Sequence, residues 1–323
     1  MKELFNVRLV EFDILKGIGI LLVILGHLQI DTTVKCIIYG FHMPLFFFIS
    51  GFFFKKRPFL ISIKKDIHQL LIPWFFFAIV LFFTYLSLNL FGGYNLKDSI
   101  INTILKIDFL DEECWILYLS IWFLPCLFCV RVLYLFLFTY RLHILIPLLY
   151  LTGYFLQVNK FNIPFFLDTT FSVIFFYMVG HFYSSVKKEL HPFAVFFMFL
   201  IYILLMTSLS PHVDLKYNVF PFYLFISPFL AIYPILKFSL YLSKACSFAS
   251  NVLKNIGNSS LILLGLHRPI IEIGNIILLK TPIPERLHSF ILFFTVVPIA
   301  YILGIYLTKK MPLLVGRHNA RHQ

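Results

Sequence analysis

Charged residues are scarce in this 323-residue chain, and their scarcity argues against an ordinary water-soluble protein. Aspartate, glutamate, lysine and arginine together make up 13% of the residues, whereas 60% of the residues are hydrophobic. Soluble domains carry about 25% charged and about 45–50% apolar residues. Disordered chains are poor in apolar and aromatic residues, so disorder is excluded as well. The composition therefore indicates a membrane protein.

The apolar runs lack the alternation of apolar and polar residues that marks the strands of a transmembrane β-barrel. The stretch 75–83, for example, contains only apolar residues. A spanning helix needs about 20 apolar residues, so the chain has room for about ten. The sequence predicts an all-α polytopic transmembrane helical bundle in one domain, 1–323. Its spans are predicted at 14–30, 37–54, 70–91, 115–138, 143–158, 169–184, 192–210, 219–237, 258–279 and 288–308.

Several signatures of other protein classes are also missing. The five cysteines are odd in number, and Cys126 and Cys129 form a CxxC pair within an apolar segment without a second pair. Neither a disulfide framework nor a metal site is indicated. No glycine-rich motif for ATP or NAD is present, and no internal repeat of the kind found in many transporters is evident. We expect no metal and no permanently bound cofactor.

Basic residues outnumber acidic residues by 27 to 15, and their placement predicts the orientation of the chain. With the N-terminus inside, most of the basic residues fall in inner segments, as the positive-inside rule requires. The net charge of +12 is then explained without a nucleic-acid partner. Both termini are predicted to be cytoplasmic, with a basic tail at 311–323. An acidic cluster falls in a predicted outer loop, 92–114, and consists of Asp98, Asp108, Asp111, Glu112 and Glu113.

Polar side chains within the bilayer are expensive and are candidates for function. The first predicted span has Lys16 near its inner end and His27 near its outer end, eleven positions apart, or about 16 Å along a helix. Glycines at 17, 19 and 26 allow neighbouring helices to approach closely. His42 lies near the outer end of the second predicted span, two residues before Pro44, and is expected at a similar depth to His27. Two interface histidines are the simpler interpretation, but a histidine is also the usual general base for a hydroxyl.

These residues resemble a known family. The resemblance is carried by Arg8, Asp13, Lys16, Gly17 and His27, by FHMPLFFFISGFFF at 41–54, and by IWFLP at 121–125, the segment 163–180 and the segment 258–267. The chain resembles the acyltransferase-3 family of integral membrane acyltransferases over about residues 5–310. It is most similar to the branch of fucose 4-O-acetylases and related acetyltransferases.

The resemblance implies a chemistry and its participants. The family signature of a basic residue, ten intervening residues and a histidine is matched by Lys16 and His27. An acyl group, usually acetyl from acetyl-CoA, would be moved to a sugar hydroxyl, with His27 as the catalytic histidine. The acceptor would be a cell-surface polysaccharide or its lipid-linked precursor, and the protein would lie in a bacterial cytoplasmic membrane, in contact with lipid. The oligomeric state stays open.

The predicted site residues fall into three groups. The catalytic candidates are His27, His42 and Lys16; the candidates for binding acetyl-CoA are Lys55, Lys56, Arg57 and Arg131; and the candidates for binding the acceptor are Trp122, Asp168 and His267. Simpler interpretations exist for several of them. Trp122 is also a typical interface anchor, Arg131 can extend to the inner surface, and Asp168 can be a wetted helix end. Arg268 and Glu272 form an i,i+4 pair on one helix, which we interpret as structural.

The same polar helices are compatible with a second function. A transporter or flippase of an envelope glycan or small solute would use them as a solute path. The lack of inverted repeats and of paired broken helices argues against it. A purely structural membrane protein is a third interpretation, and the Lys16–His27 arrangement argues against that one.

Overall fold

The computed structural model describes residues 9–105, 121–159, 161, 163, 166–186, 189–209 and 225–317. Within these ranges the chain is a bundle of α-helices without strands, which confirms the predicted fold class. The helices are α1 (Val10–Gly26), α2 (Thr32–Tyr39), α3 (His42–Phe52), α4 (Phe59–Asp66), α5 (Ile72–Phe91), α6 (Leu96–Leu105), α7 (Phe123–Thr139), α8 (Ile146–Val158), α9 (Leu167–Val186), α10 (Pro192–Leu209), α11 (Ser227–Ala245), α12 (Ser247–Asn258), α13 (Ser260–Leu279) and α14 (His288–Lys310).

Each of the ten predicted spans overlaps at least one helix, although the number of crossings stays a prediction. Among the described residues, five helical segments are long and apolar enough to cross a membrane: Thr32–Phe52, Phe59–Phe91, Pro192–Leu209, Ser260–Leu279 and Glu285–Lys310. Helices α7 and α8 are apolar but shorter. The beginnings of two predicted spans, 115–120 and 219–224, lie outside the described residues. The same holds for the acidic residues at 108–113, whereas Asp98 of the predicted acidic cluster lies in α6.

The structure adds helices that the sequence did not predict. The predicted second span is divided at Gly40 and Phe41 into α2 and α3. The predicted inner loop after it contains α4, which continues through a π-helical turn, Ile67–Leu71, into α5. Helix α12 is a largely polar element that precedes α13, and α6 lies in the predicted outer loop. Short polar helices escape a search for long apolar runs because their periodic apolar positions are few.

Helix α1 lies inside the bundle and packs most extensively along α12. A side-chain carbon added to Gly17 would fall on the carbonyl oxygen of Leu253, and one added to Gly257 would fall on that of Asp13. The two helix backbones therefore touch at this crossing. The contact is possible because neither residue carries a side chain. It fixes the position of the helix that carries Lys16 and leads to His27.

A second backbone contact holds α3 against α9. Carbon atoms added to Gly51 and Gly180 would collide with the carbonyl oxygens of Tyr177 and Phe48, respectively. Around these crossings lies a continuous core of buried aliphatic and aromatic side chains. Helices α10 and α14 instead expose large apolar side chains such as Phe196 and Phe290. Exposed apolar faces on the outside of the bundle are what a lipid environment requires.

Candidate active site

Three histidines from three helices meet inside the bundle. His27 follows the last residue of α1, His42 is the first residue of α3, and His267 lies in α13. The ring centroids of His27 and His267 are 5.0 Å apart. The ring of Tyr39 lies near both His27 and His42: its centroid is 6.5 Å from that of His27 and 4.9 Å from that of His42. The sequence predicted a similar depth for His27 and His42; the structure places His267 beside His27, and Tyr39 beside both His27 and His42.

Hydrogen bonds to the backbone fix the orientation of two of these rings. Nδ1 of His42 donates to the carbonyl oxygen of Ile38 at 2.9 Å, and Nδ1 of His267 donates to that of Leu264 at 2.7 Å. A carbonyl only accepts, so in each neutral ring the lone pair lies on Nε2. Nε2 of His267 is buried and has no hydrogen-bond partner among the described residues. A buried acceptor of this kind is costly unless a ligand or water completes it.

A polar cavity of about 260 Å³ lies at the predicted inner side of the bundle. Its walls carry the cations Lys55, Arg57, Lys65 and Arg131. The Arg131 guanidinium is held in place by Ser50 Oγ at 3.0 Å and by Asp66 Oδ1 at 2.8 Å. Four cations against one carboxylate make this cavity suited to a polyanion.

The neighbouring cavity is mostly apolar and measures about 250 Å³. It shares Ser50, Phe53 and Arg131 with the polar cavity, so the two adjoin at the Arg131 guanidinium. Its wall also includes three residues close to the histidines: Val23, Met43 and Leu264. Val23 precedes His27 by one helical turn, Met43 follows His42 directly, and Leu264 accepts the hydrogen bond of His267. The two cavities together lead from the basic surface around Lys55 and Arg57 towards the histidines.

Lys16 lies on the wall of the apolar cavity rather than beside the histidines. Its ammonium group forms an ion pair with the buried Asp13 at 2.7 Å. It lies eleven positions before His27, or about 16 Å along the helix axis. Lys16 and Arg131 therefore place two cations along the same cavity.

Three further predicted site residues, Lys56, Trp122 and Asp168, do not line either cavity. Lys56 is exposed and is not part of the wall of the polar cavity. Trp122 is buried beside Phe123, which lines the apolar cavity. Asp168 is buried at the start of α9, where it accepts hydrogen bonds from the Ile163 N–H at 3.4 Å and the Thr169 hydroxyl at 3.1 Å. The structure thus brings His267 to the predicted catalytic histidines, but it gives Asp168 local partners.

Three polar residues of the site were missed in the sequence. Ser50 and Asp66 hold Arg131, and Tyr39 lies between two histidines. In the sequence, Ser50 is a single hydroxyl within a run of phenylalanines, and Asp66 is a single acid directly after two lysines. Each is a weak indication of a functional residue. Neither signal identifies a partner 65 or 81 residues away in the chain.

The fold and the site define a helical membrane protein with a cationic cavity that leads towards buried histidines. The family model described as an acyltransferase domain, Acyl_transf_3, matches residues 9–305. The chain belongs to this acyltransferase-3 family and is a multi-pass membrane acyltransferase. No curated protein and no solved structure is similar enough to this chain to count as a match.

Proposed function

We propose that the protein is an O-acetyltransferase of the bacterial cytoplasmic membrane. It moves an acetyl group from acetyl-CoA to a sugar hydroxyl of a cell-surface polysaccharide or of its lipid-linked precursor, as the fucose 4-O-acetylase branch of the family would. The observation that carries the proposal is the pair of adjoining cavities: a cationic one, on the side predicted to be cytoplasmic, and an apolar one whose wall reaches residues next to His27, His42 and His267.

The donor fits this path by charge and by shape. The phosphates of acetyl-CoA are polyanionic and suit the cavity with Lys55, Arg57 and Lys65 in its wall. The slender pantetheine arm passes Arg131 into the apolar cavity, where Lys16 supplies a further cation. The thioester then approaches the histidines from the side of Val23 and Leu264. Interactions with the remote phosphates hold the reacting carbonyl in position.

The histidines supply the proton transfers of the reaction. His27 accepts the proton of the sugar hydroxyl while the hydroxyl oxygen attacks the thioester carbonyl carbon. The tetrahedral intermediate collapses, the carbon–sulfur bond breaks, and the protonated His27 returns the proton to the CoA sulfur. The product is an acetyl ester and free CoA. His42 and His267 present Nε2 lone pairs in their neutral forms, so they suit binding of a hydroxyl better than donation to the oxyanion.

The test is the release of free CoA by purified protein supplied with acetyl-CoA, in nanodiscs, with and without an envelope glycan extract. With the glycan extract we expect release by the wild type, none by His27→Ala, and normal release by His191→Ala, whose ring lies exposed just before α10. If the thioester is not consumed with any acceptor while the glycan crosses the membrane, the protein is a flippase instead.

The acceptor is identified by mass spectrometry of envelope glycans from cells with and without the gene. A difference of one acetyl group per repeating unit supports the proposal and names the modified sugar. Glycans of identical mass in cells that express the protein contradict it.

A further inference from the structure

The acetyl transfer proposed above needs a hydrogen-bond donor for the oxyanion. In the tetrahedral intermediate the former carbonyl oxygen is negatively charged, and donors aimed at this charge are usually the largest single contribution to catalysis. His42 and His267 use their Nδ1 hydrogens on backbone carbonyls, so their Nε2 atoms carry lone pairs and cannot donate. The donor has to come from another side chain.

Arg268 lies where α13 continues the wall of the apolar cavity. From this helix, Ser260, Leu261 and Leu264 line the cavity. Residues three and four positions apart share one face of a helix. Arg268 comes seven positions after Leu261 and four after Leu264, so it extends the same face by one turn. It also follows His267 directly, which places it beside the histidines at the end of the donor path.

The charge of Arg268 reaches the catalytic histidine. It acts on the imidazole of His27, and it acts more strongly than the charge of Lys35 in α2. A guanidinium keeps its proton at every working pH, so it offers a permanent positive charge and exchanges no proton with the reacting groups. These are the properties that an oxyanion donor requires.

Glu272 holds the guanidinium from one side. The Nε of Arg268 lies 3.0 Å from Oε1 of Glu272, and both side chains are mostly buried. This bond uses the Nε hydrogen, and the planar guanidinium carries its other donors on the two terminal nitrogens. An ion pair within a membrane is expensive and is rarely kept without a role.

Two buried polar atoms beside Arg268 indicate that a ligand completes this place. The hydroxyl of Tyr85 faces the ion pair but completes no well-formed hydrogen bond with the described residues. Nε2 of the fully buried His267 likewise has no partner among them. A purely structural pair of Arg268 and Glu272 explains neither atom, and each costs free energy until a polar group binds it.

We propose that Arg268 is a further catalytic residue, which donates from its terminal nitrogens to the oxyanion, and that Glu272 is its positioning residue. As the sugar hydroxyl attacks, the π electrons of the thioester carbonyl move to the oxygen, where Arg268 stabilises them. When the carbonyl re-forms, the carbon–sulfur bond breaks and the sulfur takes its proton from His27. This inference rests on the proposed function, which it deepens by naming the group that stabilises the intermediate.

The first test separates stabilisation of the intermediate from binding of the donor. With saturating acetyl-CoA and glycan extract, we expect Arg268→Gln to release CoA about 10²–10³ times more slowly than the wild type. Arg268→Lys, which keeps the charge but loses the planar fork, should fall between the two. Arg286→Gln, at an exposed arginine just before α14, should release CoA normally.

Binding is measured with S-acetonyl-CoA, in which a methylene group between the sulfur and the carbonyl prevents acyl transfer. No oxyanion forms on this analogue, so the wild type, Arg268→Gln and Arg268→Lys should bind it with the same Kd. A loss of helix packing would instead weaken the binding of the analogue together with the rate.

The second test restores the missing cation from solution. Millimolar guanidinium chloride should return part of the activity of Arg268→Ala, because Glu272 pairs with the added ion, whereas sodium chloride at the same concentration should not. In Arg268→Ala/Glu272→Ala the guanidinium ion has no partner, and we expect no recovery. Recovery that depends on Glu272 is not expected of a residue that serves only the fold.

Three results would overturn this inference while the proposed function stands. The first is a wild-type rate in monodisperse Arg268→Gln. The second is a slow rate that additional glycan extract restores, which would assign Arg268 to acceptor binding. The third is an equal loss of rate and of S-acetonyl-CoA binding. In all three the wild type still releases CoA and His27→Ala does not; absence of release by the wild type would instead overturn the proposed function, and this inference with it.

Discussion

At the scale of single residues, the nitrogen atoms of the three histidines are not equivalent. His42 and His267 each use Nδ1 to bind a backbone carbonyl of their own helix or the preceding turn, and this fixes where their lone pairs point. Among the described residues, no backbone carbonyl binds the His27 ring at the end of α1, and the centroid of this ring lies 5.0 Å from that of His267, with the two planes tilted by 37°. A histidine that both takes up and returns a proton benefits from this freedom, because it must face the hydroxyl and then the leaving sulfur.

His27 is therefore expected to be the residue on which the chemistry depends most. General-base assistance is typically worth about 10²–10⁴ in rate, so His27→Ala should lower kcat by that factor or more. The measurement is the rate of acetyl transfer, with monodisperse elution of the variant as evidence of folding. A well-folded His27→Ala protein with wild-type kcat would contradict the mechanism.

His267 should contribute less and in a different kinetic constant. His267→Gln keeps a hydrogen-bond acceptor, whereas His267→Ala removes it, at a cost of about 1 kcal/mol for one neutral hydrogen bond. We expect His267→Ala to raise the KM for the acceptor, His267→Gln to recover part of the loss, and the KM for acetyl-CoA to stay the same in both. Equal loss in the two variants would indicate a packing role instead.

The basic loop contains its own control. Lys55 and Arg57 line the polar cavity, whereas Lys56 between them does not. The double variant Lys55→Ala/Arg57→Ala should raise the KM for acetyl-CoA several-fold, and Lys56→Ala should not. Added salt should weaken donor binding by the wild type more than by the double variant, because the Debye length falls from about 10 Å at 0.1 M to about 3 Å at 1 M. An equal effect of all three residues would point to general surface charge.

At the scale of elements, the site depends on backbone contacts between helices. Helix α1 carries Lys16 and leads to His27. It is held against α12 where Gly17 and Gly257 each contact the backbone of the other helix. Helix α3 carries His42 and is held against α9 in the same manner. The positions of the histidines are thus determined by small residues that lie far from them.

Substitution of Gly257 should test this dependence. In Gly257→Ala the new methyl group falls on the carbonyl oxygen of Asp13, so α1 and α12 must separate. Overpacking of this kind costs about 1–3 kcal/mol, and we expect a lower unfolding temperature together with reduced activity. Gly304→Ala is the control, because its methyl group would meet only the Ile262 side chain at 3.3 Å. Similar unfolding temperatures for the two variants would show that the α1–α12 contact tolerates expansion.

At the scale of the whole molecule, the distribution of charge should set the orientation in the membrane. Under the proposed function the cationic cavity faces the cytoplasm, which supplies acetyl-CoA, and the orientation predicted from the basic residues places it on the same side.

Reporter fusions test this orientation directly. Fusions after Gln323 and within 55–65 should report the cytoplasm, and fusions within 108–113 should report the outer side. An outer location of the 55–65 fusion would reverse the donor path and contradict the proposed function. An odd number of crossings would contradict the ten-span prediction, since the termini would then lie on opposite sides.

Composition and hydropathy alone determined that the protein is a helical membrane bundle, because burial of apolar side chains in lipid imposes long apolar runs that no soluble fold needs. The motif from Lys16 to His27 was likewise visible, since both residues lie on one helix. Only the tertiary structure decided that His267 joins His27 across 240 residues of chain, and that Lys55 and Arg57 but not Lys56 line a cavity. Contacts of this kind arise when separate helices pack, and packing is set by the shape of whole surfaces, of which a local pattern records only one side.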